Sequence, residues 1–253
     1  EPGSRNKLSK RKLDKYLKNV DFAKLNEHGK KIADAIGLAT SAETFNPVIV
    51  DFYEQVGYLA DAIINYLLLL GWSLDDKTED FSREAMIGSF SLERVNKAPA
   101  SFDPAKLASF QERYMQRMPA KQKVAFLLPF LQRAGLVSSP PPCEIGPKLL
   151  ALVEAAGDRI KVGGDILEYA DFIVPAETLS YDEKALDKRI VKPPEAIGLL
   201  AKFRDVLGAV EPFDAPTLKR TLHQFVEREG IQIGQIVHAV RVAVTGKAVG
   251  FGL

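Results

Sequence analysis

The chain has 253 residues, too many for one minimal domain and suited to two or three small ones that bury cores of their own. A hydrophobic fraction of 46%, a charged fraction of 26% and a net charge of +1 are those of an ordinary soluble globular protein. The single cysteine, Cys143, excludes an internal disulfide framework and fits a reducing compartment. The longest apolar run, Ile63–Trp72, is broken by Asn65 and Tyr66 and reaches about half of the roughly 20 residues a spanning helix needs. No signal-peptide pattern opens the chain, so a cytoplasmic location away from membranes is expected.

Charge is concentrated at the start. Residues 1–31 hold ten lysines and arginines against four acids, an excess that could attract a polyanion. For Lys24–Lys31 a solvated helix face explains the charges equally well. Within this stretch "KLSKR" (7–11) sets Lys7 and Lys10 around Ser9, with Arg11 as a third cation. On a mobile loop such a group can follow a phosphate chain as charge builds on it. Most basic stretches this short are solvated loops.

Beyond it the chain reads as helix after helix. "GYLADAIINYLLLLGW" (57–72) is apolar on nearly all sides, bounded by Gly57 and Gly71, and is expected to be a buried helix. Ser82 is placed to cap "SREAMIGSF", with Glu84 in the first turn. Asp103 and Pro104 open a helix that carries Leu107, Phe110, Tyr114 and Met118 at helical spacing. "KVAFLLPFLQRAG" predicts a helix kinked or restarted at Pro129 and stopped at Gly135. "SSPPPC" (138–143) is a stiff connector, and helix resumes from Pro147 to Ala156. "VGG" (162–164) predicts a turn.

"SYDE" (180–183) has capping-box spacing and predicts Ser180 as the cap of the helix that follows. "KPP" (192–194) then breaks the chain before "EAIGLLAKFRDVLG". "APTLKRTLHQFVEREG" aligns Leu218, Leu222, Phe225 and Val226 and ends at Gly230. "IGQIVHAVRVAVTG" aligns Ile233, Ile236, Val237, Val240 and Val244 and ends at Gly246. No region alternates with period two for long, so the expected class is mainly α, built as consecutive small helical bundles.

His28, His223 and His238 stand apart without carboxylate or cysteine partners at metal spacing, so no metal site is expected. No nucleophile elbow, phosphate-cradling glycine loop or dinucleotide fingerprint occurs.

Four blocks, in a fixed order, carry a resemblance. They are "KLSKR", "GYLADAIINYLLLLGWS", "SLERVNKAPASFDPAKL" and "VRVAVTGKAVGFGL". Together they resemble the bacterial glutamyl-tRNA synthetases, class I aminoacyl-tRNA synthetases, whose Lys-Met-Ser-Lys-Ser loop corresponds to the first block. The resemblance implies the tRNA-binding, anticodon-reading region of a glutamate–tRNA ligase. It is expected to be the carboxyl-side part, because the family's His-x-Gly-His signature is absent.

The whole enzyme would use ATP and Mg²⁺ to join glutamate to tRNA(Glu). This region, without the nucleotide-binding catalytic domain, would be inactive alone, hold no cofactor, and be a monomer. The resemblance divides it into a loop and stem-contact region with an inserted helical element (1–105) and two anticodon-binding helical subdomains (106–180 and 181–253).

Carried over by position, Lys7, Ser9, Lys10 and Arg11 would form the ATP-phosphate loop. Arg159, Arg241, Gly250 and Phe251 would meet the tRNA anticodon. Arg159 could instead complement a helix C-terminus, and Arg241 could cap a helix or pair with an acid. Gly250 and Phe251 replace the family's Thr-Pro pair, and Phe251 could stack on a base. The stretch at about 12–51 is an insertion relative to the family, with apolar positions Leu25, Ile32, Ala35 and Ile36. Two alternatives stand beside this reading. One is a non-discriminating or glutamine-type synthetase region; the other is a non-catalytic helical tRNA-binding or scaffold module.

Overall fold

A computed structural model describes residues 7–250, with the side chain of Lys10 left out, and Phe251 lies outside the described residues. Among the described residues there are helices and no strands, so the protein is mainly α. The chain forms two compact units, Glu1–Ala170 and Asp171–Leu253.

The first unit contains α1 (Leu13–Tyr16), α2 (Val20–Ala35), α3 (Val50–Val56), α4 (Ala60–Leu69), α5 (Arg83–Ser89), α6 (Pro104–Arg117), α7 (Ala120–Arg133) and α8 (Ile145–Ala156). Side-chain oxygens set several starts. Asn19 accepts from the Asp21 and Phe22 amides before α2. Ser82 accepts from Ala85 before α5, and Asp103 from Ala105 and Lys106 before α6. Each satisfies amides the first turn leaves orphaned, worth about 1 kcal/mol per cap.

The stretch at 12–51 is part of this unit's interior. Leu25, Ile32 and Ala33 of α2 share one core with Phe52 and Val56 of α3, Tyr66 of α4, and Leu107 and Phe110 of α6. Burying each large apolar side chain contributes about 1.5–3 kcal/mol, so α2 is held by packing. Ile36 joins the buried set, whereas Ala35 faces solvent.

Three expectations change. The helix expected over 57–72 is Ala60–Leu69 only, because Gly57 (φ 94°) ends α3 in the left-handed region. It buries Ala62, Asn65 and Tyr66 while leaving Ile64 43% and Leu67 49% exposed, so it is not buried all round. The α7 helix runs through Pro129 without restarting. "VGG" does more than turn. The Gly163 amide donates to the Gly57 carbonyl at 2.8 Å, and a Cβ on Gly163 would lie 2.4 Å from the Phe130 ring. Two backbones meet where no side chain fits.

The second unit contains α9 (Glu183–Leu186), a π-helical turn (Asp187–Val191), α10 (Ala196–Leu207), α11 (Ala215–Glu229) and α12 (Ile233–Thr245). Leu199, Phe203, Leu222, Phe225 and Ile236 form its core. The cap of α9 is Asp182, which accepts from the Ala185 amide at 2.7 Å; Ser180 is not the cap. The buried face of α12 is Ile236, Ala239, Val242 and Thr245, rotated from the expected stripe, and Val244 is 56% exposed. Thr245 can sit on the buried face because its hydroxyl donates to the Arg241 carbonyl at 2.8 Å.

Candidate functional site

The basic arm is anchored from behind. Ser9 is half-buried with extended backbone, its amide donates to the Tyr16 hydroxyl at 2.9 Å, and its carbonyl accepts from the Lys12 amide at 3.0 Å. Tyr16 is buried, its ring 5.7 Å from that of Phe22 on α2. Lys10 starts a 3-10 turn (Lys10–Lys12), while Lys7 and Arg11 reach into solvent. Tyr16 and α2 therefore fix the base of "KLSKR", and the Lys7 and Arg11 side chains stand in water.

Arg159 follows α8. Its Nη1 donates to the carbonyls of Ala156 and Ala155 at 3.3 and 3.4 Å, two of the acceptors a helix C-terminus leaves open. The side chain is exposed. Close by in sequence, buried Asp165 collects three donors. Lys161 and Val162 amides reach Oδ2 at 2.7 and 2.9 Å, and His28 Nε2 lies 2.7 Å from Oδ1. That hydrogen bond, opposed by burial and aided by the Asp165 and Glu168 charges, raises the His28 pKa above the usual histidine value. Lys161 Nζ pairs with Glu112 at 2.5 Å.

Arg241 is half-buried on the last turns of α12. Thr245 Oγ1 donates to its carbonyl at 2.8 Å. Gly246 then turns left-handed at φ 71°, and its carbonyl accepts from the Asp182 amide at 2.8 Å. The Tyr181 hydroxyl donates to the Ala243 carbonyl at 3.0 Å, closing another open acceptor. The chain next passes Arg241 again, so that a Cβ on Gly250 would lie 3.7 Å from Arg241 Cδ. Lys247 pairs with Asp171 at 2.8 Å.

The structure thus brings Arg241 and Gly250 together in the second unit. It places Lys7, Ser9, Arg11 and Arg159 in the first. Two polar links were not visible in the sequence. His28 meets Asp165 from 137 positions away, and buried Gln111 ties the Leu59 amide (2.8 Å) to the Lys161 carbonyl (2.9 Å). No local motif marks either. Among the described residues no three His, Cys, Asp or Glu side chains gather as a metal site, and no helix is long and apolar enough to cross a membrane.

Comparison with known proteins follows the same division. The family model described as "Anticodon binding domain" matches residues 122–253. That described as "tRNA synthetases class I (E and Q), catalytic domain" matches residues 43–109. The glutamate–tRNA ligase of Herpetosiphon aurantiacus is 32% identical over 229 residues, covering 90% of this chain and 44% of its own length. That of Roseiflexus castenholzii is 37% identical over 198 residues, covering 78% and 39%. A crystal structure of a glutamate tRNA ligase from Elizabethkingia meningosepticum, in complex with its amino acid, superimposes with a TM-score of 0.67 at 28% identity. It covers 79% of this chain and 38% of the other. The chain spans less than half the length of these relatives.

Proposed function

We propose, since this chain belongs to the anticodon binding domain family, that it is the tRNA-binding portion of a glutamate–tRNA ligase. The full enzyme would activate glutamate with ATP and esterify it to the 3′ end of tRNA(Glu). The observation that carries this reading is the family match over 122–253, a span that contains Arg159 and Arg241.

Within it, Lys7, Ser9, Lys10 and Arg11 handle the ATP phosphates, and Arg159, Arg241, Gly250 and Phe251 meet the anticodon. What supports the first assignment is an anchored loop base with Lys7 and Arg11 free to extend into solvent. What supports the second is chemistry: unstacked bases suit arginine forks. The remainder of the catalytic domain is the partner this portion needs, and the portion alone is inactive.

The test uses the 253-residue chain and transcripts of tRNA(Glu) and tRNA(Gln) with altered anticodons. Binding should weaken linearly in log–log salt plots and depend on the anticodon. Equal binding of both tRNAs would favour the non-discriminating reading. Binding with no salt slope and no anticodon dependence would favour a protein scaffold. Robust glutamate-dependent pyrophosphate exchange by the chain alone would overturn the claim of inactivity.

A further inference from the structure

The basic arm has a mount that no motif marks. Tyr16 ends α1, outside the four resembling blocks and outside both family-model matches. Its ring is buried, and its hydroxyl accepts from the Ser9 amide at 2.9 Å, seven positions back. Ser9 is the middle residue of "KLSKR". The Lys12 amide donates to the Ser9 carbonyl at 3.0 Å. Both backbone polar groups of Ser9 are thereby held, at the point between the two lysines.

The mount is itself packed into the core. Tyr16 meets Phe22 of α2 with ring centroids 5.7 Å apart, and Phe22 meets Phe102 at 5.7 Å. Phe102 meets Tyr66 of α4 edge-on at 5.5 Å. The Tyr66 hydroxyl accepts from the Asp103 amide at 2.7 Å, where α6 begins. Four rings thus run from the arm to the core that α2, α4 and α6 share. Aromatic pairs hold preferred geometries, so the Tyr16 hydroxyl stands at a fixed place.

A buried ring serves the fold without its hydroxyl, since phenylalanine fills nearly the same space. The hydroxyl carries the position of the ring out to the arm. Lys10 follows Ser9 directly, and Lys7 precedes it by two residues. With Ser9 held, the Lys7 backbone ranges within about 7 Å of it. Cations that stabilise charge building on a phosphate chain act best when they are placed beforehand.

We propose that Tyr16 is a positioning residue of the ATP-phosphate loop: its hydroxyl holds the Ser9 amide so that Lys7 and Lys10 are set before ATP arrives. This rests on the function proposed above. It adds a residue to which the resemblance gives no role.

The experiment has two arms. Hydrogen exchange on the 253-residue chain reads the Ser9 amide directly. Glutamate-dependent pyrophosphate exchange reads the full-length ligase of which this chain is proposed to be a part. The Ser9 amide should exchange about tenfold more slowly in wild type than in Tyr16→Phe. Tyr16→Phe should lower kcat/KM for ATP about three- to tenfold, the worth of one hydrogen bond. KM for glutamate, and the affinity of the chain for tRNA, should not change. In a double-mutant cycle with Lys7→Ala the loss should shrink, because one of the cations being placed is gone. Thermal melting checks that each variant is folded. If Tyr16→Phe unfolds, the wild-type amide decides: a Ser9 amide that exchanges as fast as in an unstructured chain overturns the anchor. A folded Tyr16→Phe with faster Ser9 exchange but strict additivity with Lys7→Ala also overturns the proposal, as does an equal loss in glutamate binding. A wild-type ligase that exchanges pyrophosphate while Tyr16→Phe matches it in ATP kinetics sinks this inference alone. A wild-type ligase with no glutamate-dependent exchange sinks the proposed function, and this role with it.

Discussion

His28 Nε2 lies 2.7 Å from Asp165 Oδ1, joining α2 to the turn that follows α8 across 137 positions of sequence. Asp165 is buried and also receives two backbone amides, so its carboxylate is held in place and His28 comes to it. The hydrogen bond raises the His28 pKa above its ordinary 6.5. The folded state therefore binds the proton more tightly than the unfolded chain. The stabilisation is complete below 6.5 and fades as pH rises through the raised folded-state pKa. His28→Gln should accordingly lower the urea midpoint most below pH 6.5, with the gap to wild type narrowing toward alkaline pH. Because the imidazole is 36% exposed, the effect is modest. A gap that does not vary with pH would remove the charge from this account.

Gln111 offers a larger effect. It is 1% exposed, and its amide group serves the Leu59 amide and the Lys161 carbonyl at once. Gln111→Leu keeps the volume and leaves two backbone groups without partners, each costing about 1–3 kcal/mol. The expected loss is about 2–6 kcal/mol in urea unfolding, with helix content unchanged in far-UV circular dichroism below the transition. A loss under about 0.5 kcal/mol would mean that water replaces the side chain at both ends.

Gly164 tests how firmly α2 is docked. A Cβ there would lie 2.4 Å from Ile32 Cγ2 and 2.6 Å from Ile32 Cδ1. Gly164→Ala should cost about 1–3 kcal/mol by overpacking. Ile32→Ala also destabilises, by opening a cavity, yet it removes the atoms that clash. The double variant should therefore be more stable than the sum of the two losses predicts, and a double-mutant cycle reads this coupling directly. Strict additivity would show that α2 stands away from the turn in solution.

Local chemistry was legible in the sequence, and distant pairing was not. Ser82, Asp103 and Gly230 act as the caps that their types and positions announce. Ser180 fits the capping pattern as well as Asp182 does, and a tertiary contact decides between them. The Asp182 amide is taken by the Gly246 carbonyl, which sets that residue, not Ser180, at the start of α9. The face of α12 was misread for a related reason. Valine count favours one stripe, but the packed helix turns Ile236, Ala239, Val242 and Thr245 inward, and the Thr245 hydroxyl is satisfied there by the Arg241 carbonyl. In the candidate site, Arg241 was marked by its motif.

Gly246 links that packing to the proposed reading of the anticodon. Its φ of 71° already disfavours a side chain, at about 1–2 kcal/mol for the left-handed conformation. A Cβ would also lie 2.0 Å from the Ser180 carbonyl oxygen, a backbone atom that cannot swing away, adding about 1–3 kcal/mol of overpacking. Gly246→Ala should thus lose about 2–5 kcal/mol in urea unfolding. The same displacement would loosen the turn in which Thr245 holds the Arg241 carbonyl and Gly250 passes the Arg241 side chain. Preference between tRNA(Glu) transcripts that differ in one anticodon base should then fall even at temperatures where the variant is fully folded. Tyr181→Phe, which removes only the hydroxyl that donates to Ala243, should lose about 0.5–1.5 kcal/mol and shift that preference in the same direction by less. If G246A melts with wild type, this turn does not hold α12. If it melts early but discriminates normally while folded, the turn serves stability and Arg241 is positioned by something else.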